Sequence, residues 1–161
     1  MKRQLVALTV LAVFLFAACK KKSNSMSPIP AIGFLSMTPD SLKAASGEDS
    51  VFITFHLTDG DADLGNNPSG TNKDVFFIDS RDTSTVFYSS FFPNIPGEIK
   101  DPTVGIEGTC TVFINSAFLM SRPDSIHQTL GDTLHFIIYI KDVAGHESNR
   151  ITTPNLYLRP Q

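Results

Sequence analysis

The chain has 161 residues, room for one ordinary domain and not two. Its 42% hydrophobic and 18% charged residues exclude a disordered chain, and two cysteines exclude a disulfide scaffold. Five of the 13 basic residues and none of the 16 acidic ones lie in residues 1–30, so residues 31–161 carry a net charge of −8 (8 basic against 16 acidic). Phosphate binding needs a basic face, so nucleic acid is not an expected partner.

The first element is an address. Lys2 and Arg3 precede an apolar run from Leu5 to Phe16, and small residues follow at Ala17 and Ala18 before Cys19. This is the layout of an export signal, and the run is shorter than the roughly 20 residues that span a bilayer. Phe16-Ala17-Ala18-Cys19 resembles the lipobox of bacterial lipoproteins, with Phe16 where Leu is usual. The resemblance implies that residues 1–18 are removed and that Cys19 is lipidated, becoming the mature N-terminus and the link to a membrane. Stable anchoring takes more than one acyl chain, and the family's cysteine carries several. Lys20, Lys21 and Lys22 would then face anionic headgroups, each worth about 1 kcal/mol near a charged surface. A lysine directly after the cysteine, with no acidic export run, points to the outer membrane facing the periplasm; display at the cell surface is the alternative. Residues 19–30 complete the lipidated start. Ser23 to Pro30 are small, polar and proline-containing, which reads as a tether of about 18 Å typical reach.

From Ile32 onward the dominant period is two. Val51, Ile53, Phe55 and Leu57 share one face of a strand, as do Leu134, Phe136, Ile138 and Ile140 in another. Cys110, Val112 and Ile114 alternate with Thr111, Phe113 and Asn115. The spacing predicts seven strands, over 32–38, 50–58, 74–80, 84–92, 104–115, 132–142 and 149–159. Pro154 puts an edge or a bulge in the last. Asn115–Met120 has room for one helical turn before Pro123, and no segment shows a long helical period. The expected fold is an all-β, seven-stranded antiparallel sandwich over residues 31–161. It resembles immunoglobulin or fibronectin type III-like domains of bacterial surface proteins. The hairpin Asp142-Val143-Ala144-Gly145-His146-Glu147-Ser148 is similar to their Asp-x-Ala-Gly-Asn-x-Ser turn, with His146 where Asn is usual.

One loop carries potential chemistry. Asp59, Asp61 and Asp63 are spaced by two within Thr58-Asp59-Gly60-Asp61-Ala62-Asp63-Leu64-Gly65-Asn66-Asn67. Three carboxylates that close repel unless a cation or water separates them. Ca²⁺ takes six to eight oxygens. An EF-hand is excluded, because Leu64 stands at the glycine position and Gly70 at the bidentate glutamate position. The sandwich supplies the rest: immunoglobulin-like topology places the loop after the second strand beside the one after the sixth. That brings Asp142, and with it Glu147, toward the three aspartates, while Asn66 and Asn67 offer amide oxygens. The competing reading is ordinary turn chemistry, with Asp and Asn side chains bonding their own backbone.

Other candidates are weaker. Phe87, Tyr88, Phe91 and Phe92 form an aromatic cluster that serves either as a protein- or glycan-binding surface or as core. Cys110 reads as a small buried hydrophobe. His56, His127, His135 and His146 show no mutual metal-ligand spacing, and no nucleophile elbow, zincin or phosphate-loop motif occurs. The expectation is a non-enzymatic envelope lipoprotein, a structural or interaction module with Ca²⁺ at the loop end. The alternative is a glycan- or protein-binding surface lipoprotein, and a hydrolase using acidic loop residues ranks third.

Overall fold

Alternation of apolar and polar residues dictates the main ladder. The computed structural model describes residues 26–65, 73–93 and 95–160. Strand β3 (Ser50–Asp59) buries Val51, Ile53, Phe55 and Leu57, and turns Phe52, Thr54 and His56 outward. It pairs antiparallel with β1 (Ala31–Thr38) on one side and with β6 (Ile106–Asn115) on the other. The β3–β6 register runs unbroken from Ser50↔Asn115 to Asp59↔Ile106, while β1 carries an irregularity between Phe34 and Ser36.

Two further sheets complete the all-β architecture. One runs β5-β4-β8-β9, from β4 (Val75–Asp79), β5 (Tyr88–Ser90), β8 (Phe136–Ile140) and β9 (Ile151–Thr152). The other runs β2-β10-β7, from β2 (Ser41–Lys43), β7 (Asp132–Leu134) and β10 (Leu156–Arg159). All pairs are antiparallel except β2 with β10. Phe55 and Ile53 of β3, Phe77 of β4, Phe136 and Ile138 of β8, and Leu156 and Leu158 of β10 belong to one buried cluster. Burial of each such side chain is worth about 1.5–3 kcal/mol.

The described residues form ten strand segments rather than seven, for identifiable reasons. The stretch expected as one strand over 132–142 crosses from one sheet to another at His135, so β7 pairs with β10 and β8 with β4. The stretch expected over 149–159 breaks at Pro154, which has no N–H to give a ladder. Thr153 bridges that break, its Oγ1 accepting from the Phe136 N–H (3.0 Å) and its own N–H donating to the Phe136 carbonyl (2.9 Å). The expected strand over 84–92 shrinks to Tyr88–Ser90. A 3₁₀ turn at Ser116–Phe118 falls within the predicted 115–120 turn. Helix α1 (Ser125–Leu130) was not foreseen; Asp124 caps it by accepting from the Ile126 and His127 N–H groups. No helix among the described residues is long and apolar enough to cross a membrane. The predicted export signal, Cys19, Asn66 and Asn67 lie outside the described residues.

Candidate metal centre

The parity of two strands builds the site. In β3 the inward face runs 51, 53, 55, 57, and its next member is Asp59, which is 0% exposed. In β8 the inward face runs 136, 138, 140, and its next member is Asp142, which is 6% exposed. Each apolar stripe therefore ends in a buried carboxylate, and the two ends meet at one pole. The chain after β3 then folds back through Ala62, a buried residue in the left-handed region (φ +60°), and brings Asp61 and Asp63 to the same place. One oxygen from each of Asp59, Asp61, Asp63 and Asp142 lies within 4.8 Å of all the others. The four aspartates singled out from sequence are thus brought together.

Hydrogen bonds fix the side chains of Asp59, Asp63 and Asp142. The Asp63 N–H donates to Asp59 Oδ2 (3.0 Å), and the Ala144 N–H donates to Asp63 Oδ2 (3.0 Å), tying the 59–65 segment to the 142–147 turn. The His146 N–H donates to Asp142 Oδ1 (2.7 Å), while the His146 ring holds Asp142 Oδ2 through Nδ1 (2.8 Å). His146 thus holds Asp142 from behind, a role its loop position did not reveal. The remaining oxygens are the informative ones. Oδ1 of Asp59, of Asp61 and of Asp63 are all buried and have no hydrogen-bond partner among the described residues. A buried acceptor left unpaired costs about 1–3 kcal/mol, more if charged, so three in one cluster call for a counterpart.

Electrostatics point the same way. Burial, followed by the charge of Asp61, pushes the Asp59 carboxyl up to about 6 from its ordinary 3.8. Burial, with the charges of Asp142 and Asp61, also raises Asp63. The hydrogen bond and charge of Asp142 raise His146. Oxygens 2.3–2.6 Å from a common Ca²⁺ are at most about 5 Å apart, so the observed spread suits one such ion. The four side chains together could hold a metal ion. Ordinary turn chemistry accounts for Oδ2 of Asp59, which bonds its own loop at Asp63; Oδ2 of Asp63 bonds across to Ala144, and the three Oδ1 atoms stay unexplained by either.

The other sequence candidates disperse. Glu147 pairs with Lys141 (2.9 Å) and takes no part in the cluster. Phe92 is buried, Phe87 packs on Phe136 (centroids 6.0 Å apart) and Tyr88 on Phe77 (5.8 Å). Only Phe91 of that group is exposed, beneath the Lys73 ammonium 3.6 Å from its ring centre. Cys110 is half-buried, and burial pushes its thiol up to about 11, so it stays protonated at neutral pH. His56 pairs at the surface with Glu107 (3.1 Å), and His127 with Asp124 (2.6 Å).

A second charged cluster had no signal in the sequence. Arg81 donates to both oxygens of Asp79 and to Asp132 Oδ2 (2.8 Å), and Arg122 donates to Asp132 Oδ1 (2.8 Å). The Asp132 side chain is fully buried, and every charge in this group has an opposite partner. The network is therefore satisfied, unlike the carboxylates at the other pole. Compared with protein-family models, curated proteins and solved structures, the chain has no significant match.

Proposed function

We propose that this chain is a non-enzymatic, lipid-anchored module of the bacterial cell envelope, held through Cys19 and stabilised by Ca²⁺. In this reading the three sheets form a β-sandwich of immunoglobulin or fibronectin type III-like type, on the periplasmic side of the outer membrane. Its work is structural or connective. Two observations carry the Ca²⁺ part: one carboxylate oxygen from each of Asp59, Asp61, Asp63 and Asp142 converges on the same place, and Oδ1 of the first three is buried with no hydrogen-bond partner among the described residues. An ion there joins the segment after β3 to the turn after β8 and offsets as many as four negative charges. The lipobox-like Phe16-Ala17-Ala18-Cys19 carries the anchoring part.

The test has two arms. Millimolar Ca²⁺ raises the melting midpoint relative to chelator, since a ligand of the native state stabilises it by about 2.7 kcal/mol at a hundredfold excess over Kd. Identical midpoints would refute the ion site. Cys19→Ala moves the protein from the membrane fraction to the soluble one; a protein that still sediments with membranes refutes the anchor.

A further inference from the structure

The residues that lead into β1 lie against the candidate metal loop. The Gly60 N–H, between Asp59 and Asp61, donates to the Ser27 carbonyl (2.8 Å). A Cβ on Gly60 would lie 2.5 Å from the carbonyl oxygens of both Met26 and Ser27, so the two backbones touch with no room for a side chain. Further along, Pro30 is buried. The Ile32 N–H donates to Asn149 Oδ1 (2.8 Å), and the Asn149 amide returns a bond to the Ile32 carbonyl (2.9 Å). The entering chain is thus held at Gly60 and again at Asn149, one contact from each of the two loops that supply the aspartates.

We infer that the cation site and the seat for residues 26–30 are one coupled unit, in which a bound divalent cation fastens this segment to the domain. The inference rests on the cation reading above. Gly60 is covalently flanked by two of the four carboxylates, and Oδ1 of both neighbours is buried and unpaired. With no cation, mutual repulsion favours any movement that separates Asp59, Asp61 and Asp63. Such movement carries the Gly60 N–H away from Ser27. A cation removes the repulsion, fixes the 59–63 path and keeps that N–H aimed at the segment. Coupling of two binding events is reciprocal, so the seated segment must in turn tighten the cation by the same factor.

The experiment uses the full chain in detergent, with CaCl₂ or chelator, and reads two quantities. Amide hydrogen exchange is followed at Ser27, Ile29 and Gly60, and Ca²⁺ affinity is measured by calorimetry on the native chain and on Pro30→Gly. That variant loosens the segment and leaves all four carboxylates in place. The expected result is exchange at Gly60, the donor to Ser27, and at Ile29 slowed at least tenfold by Ca²⁺, with affinity in Pro30→Gly reduced about three- to tenfold. If Ca²⁺ binds but neither the exchange nor the variant's affinity changes, the coupling is overturned and the cation site stands. If calorimetry shows no Ca²⁺ binding to the native chain, both are overturned.

Discussion

Asp59 shows how one carboxylate can be set against its own fold. Its backbone continues the inward stripe of β3, so the side chain is carried below the surface with the core. There it meets three more carboxylates and keeps one oxygen unpaired. Asp59→Asn retains the shape and removes a charge. In chelator, the variant is expected to melt at the same temperature as the native chain or a few degrees higher, because a repulsive buried charge is gone. In Ca²⁺ the order reverses: the native chain gains stability and the variant gains little or none. A variant that responds to Ca²⁺ as fully as the native protein would remove Asp59 from the ligand set. The Asp-x-Asp-x-Asp spacing made three of these residues visible in the sequence. Asp142 was visible only through an assumed topology, since nothing local distinguishes it from any turn aspartate. The supporting role of His146 was hidden, because it depends on a ring orientation across a tight turn.

At the scale of strands, alternation made the long ladders readable and failed on the short ones. β1, β3 and β6 are long enough for several alternations, and their predicted spans match to within about two residues. β2 has three residues, too few to show a period, and β9 has two. α1 buries none of its six residues, so it leaves no apolar stripe to detect. The Arg81 network was equally silent, since Arg81 and Asp132 lie 51 positions apart. That network joins the segment after β4 to the start of β7. Burial alone would raise the Asp132 carboxyl, but the hydrogen bonds from Arg122 and Arg81 hold it well below its ordinary range. Arg81→Met leaves Asp79 and Asp132 buried with less compensation, and the expected loss is about 3–5 kcal/mol. Thermal or denaturant unfolding would show it. Glu147→Gln breaks only exposed pairs, with Lys141 (2.9 Å) and Arg150 (4.0 Å), and is expected to cost under about 1 kcal/mol. Equal losses in the two variants would contradict the assignment of a structural role to the buried network.

For the molecule as a whole, the two charged clusters respond to pH with opposite signs. The Asp59 carboxyl titrates at about 6 when folded and at its ordinary 3.8 when unfolded. Between those values the folded state holds more protons than the unfolded one, so stability falls as pH rises. Asp63 is shifted in the same direction. Asp132 is shifted the other way, so its contribution is present above the ordinary carboxylate value and disappears as pH falls below it. In chelator, the melting temperature should therefore be highest near about pH 4 and fall by several degrees toward pH 7. Excess Ca²⁺, which needs ionised carboxylates, should move the maximum toward neutrality. A chelated protein whose stability rises steadily from pH 4 to pH 7 would show that Asp59 does not carry the raised value.

The β1–β3 register has a geometric consequence. Ala31 lies opposite Thr58, beside the aspartates, whereas Thr38 lies opposite Phe52, which in turn faces Phe113. Six residues of extended backbone separate those levels, about 20 Å. Phe113 and Phe118, each 61% exposed, therefore crown the end remote from where the polypeptide enters its first strand. Under the anchoring proposed above, those two rings would ride on the side of the domain turned away from its stalk.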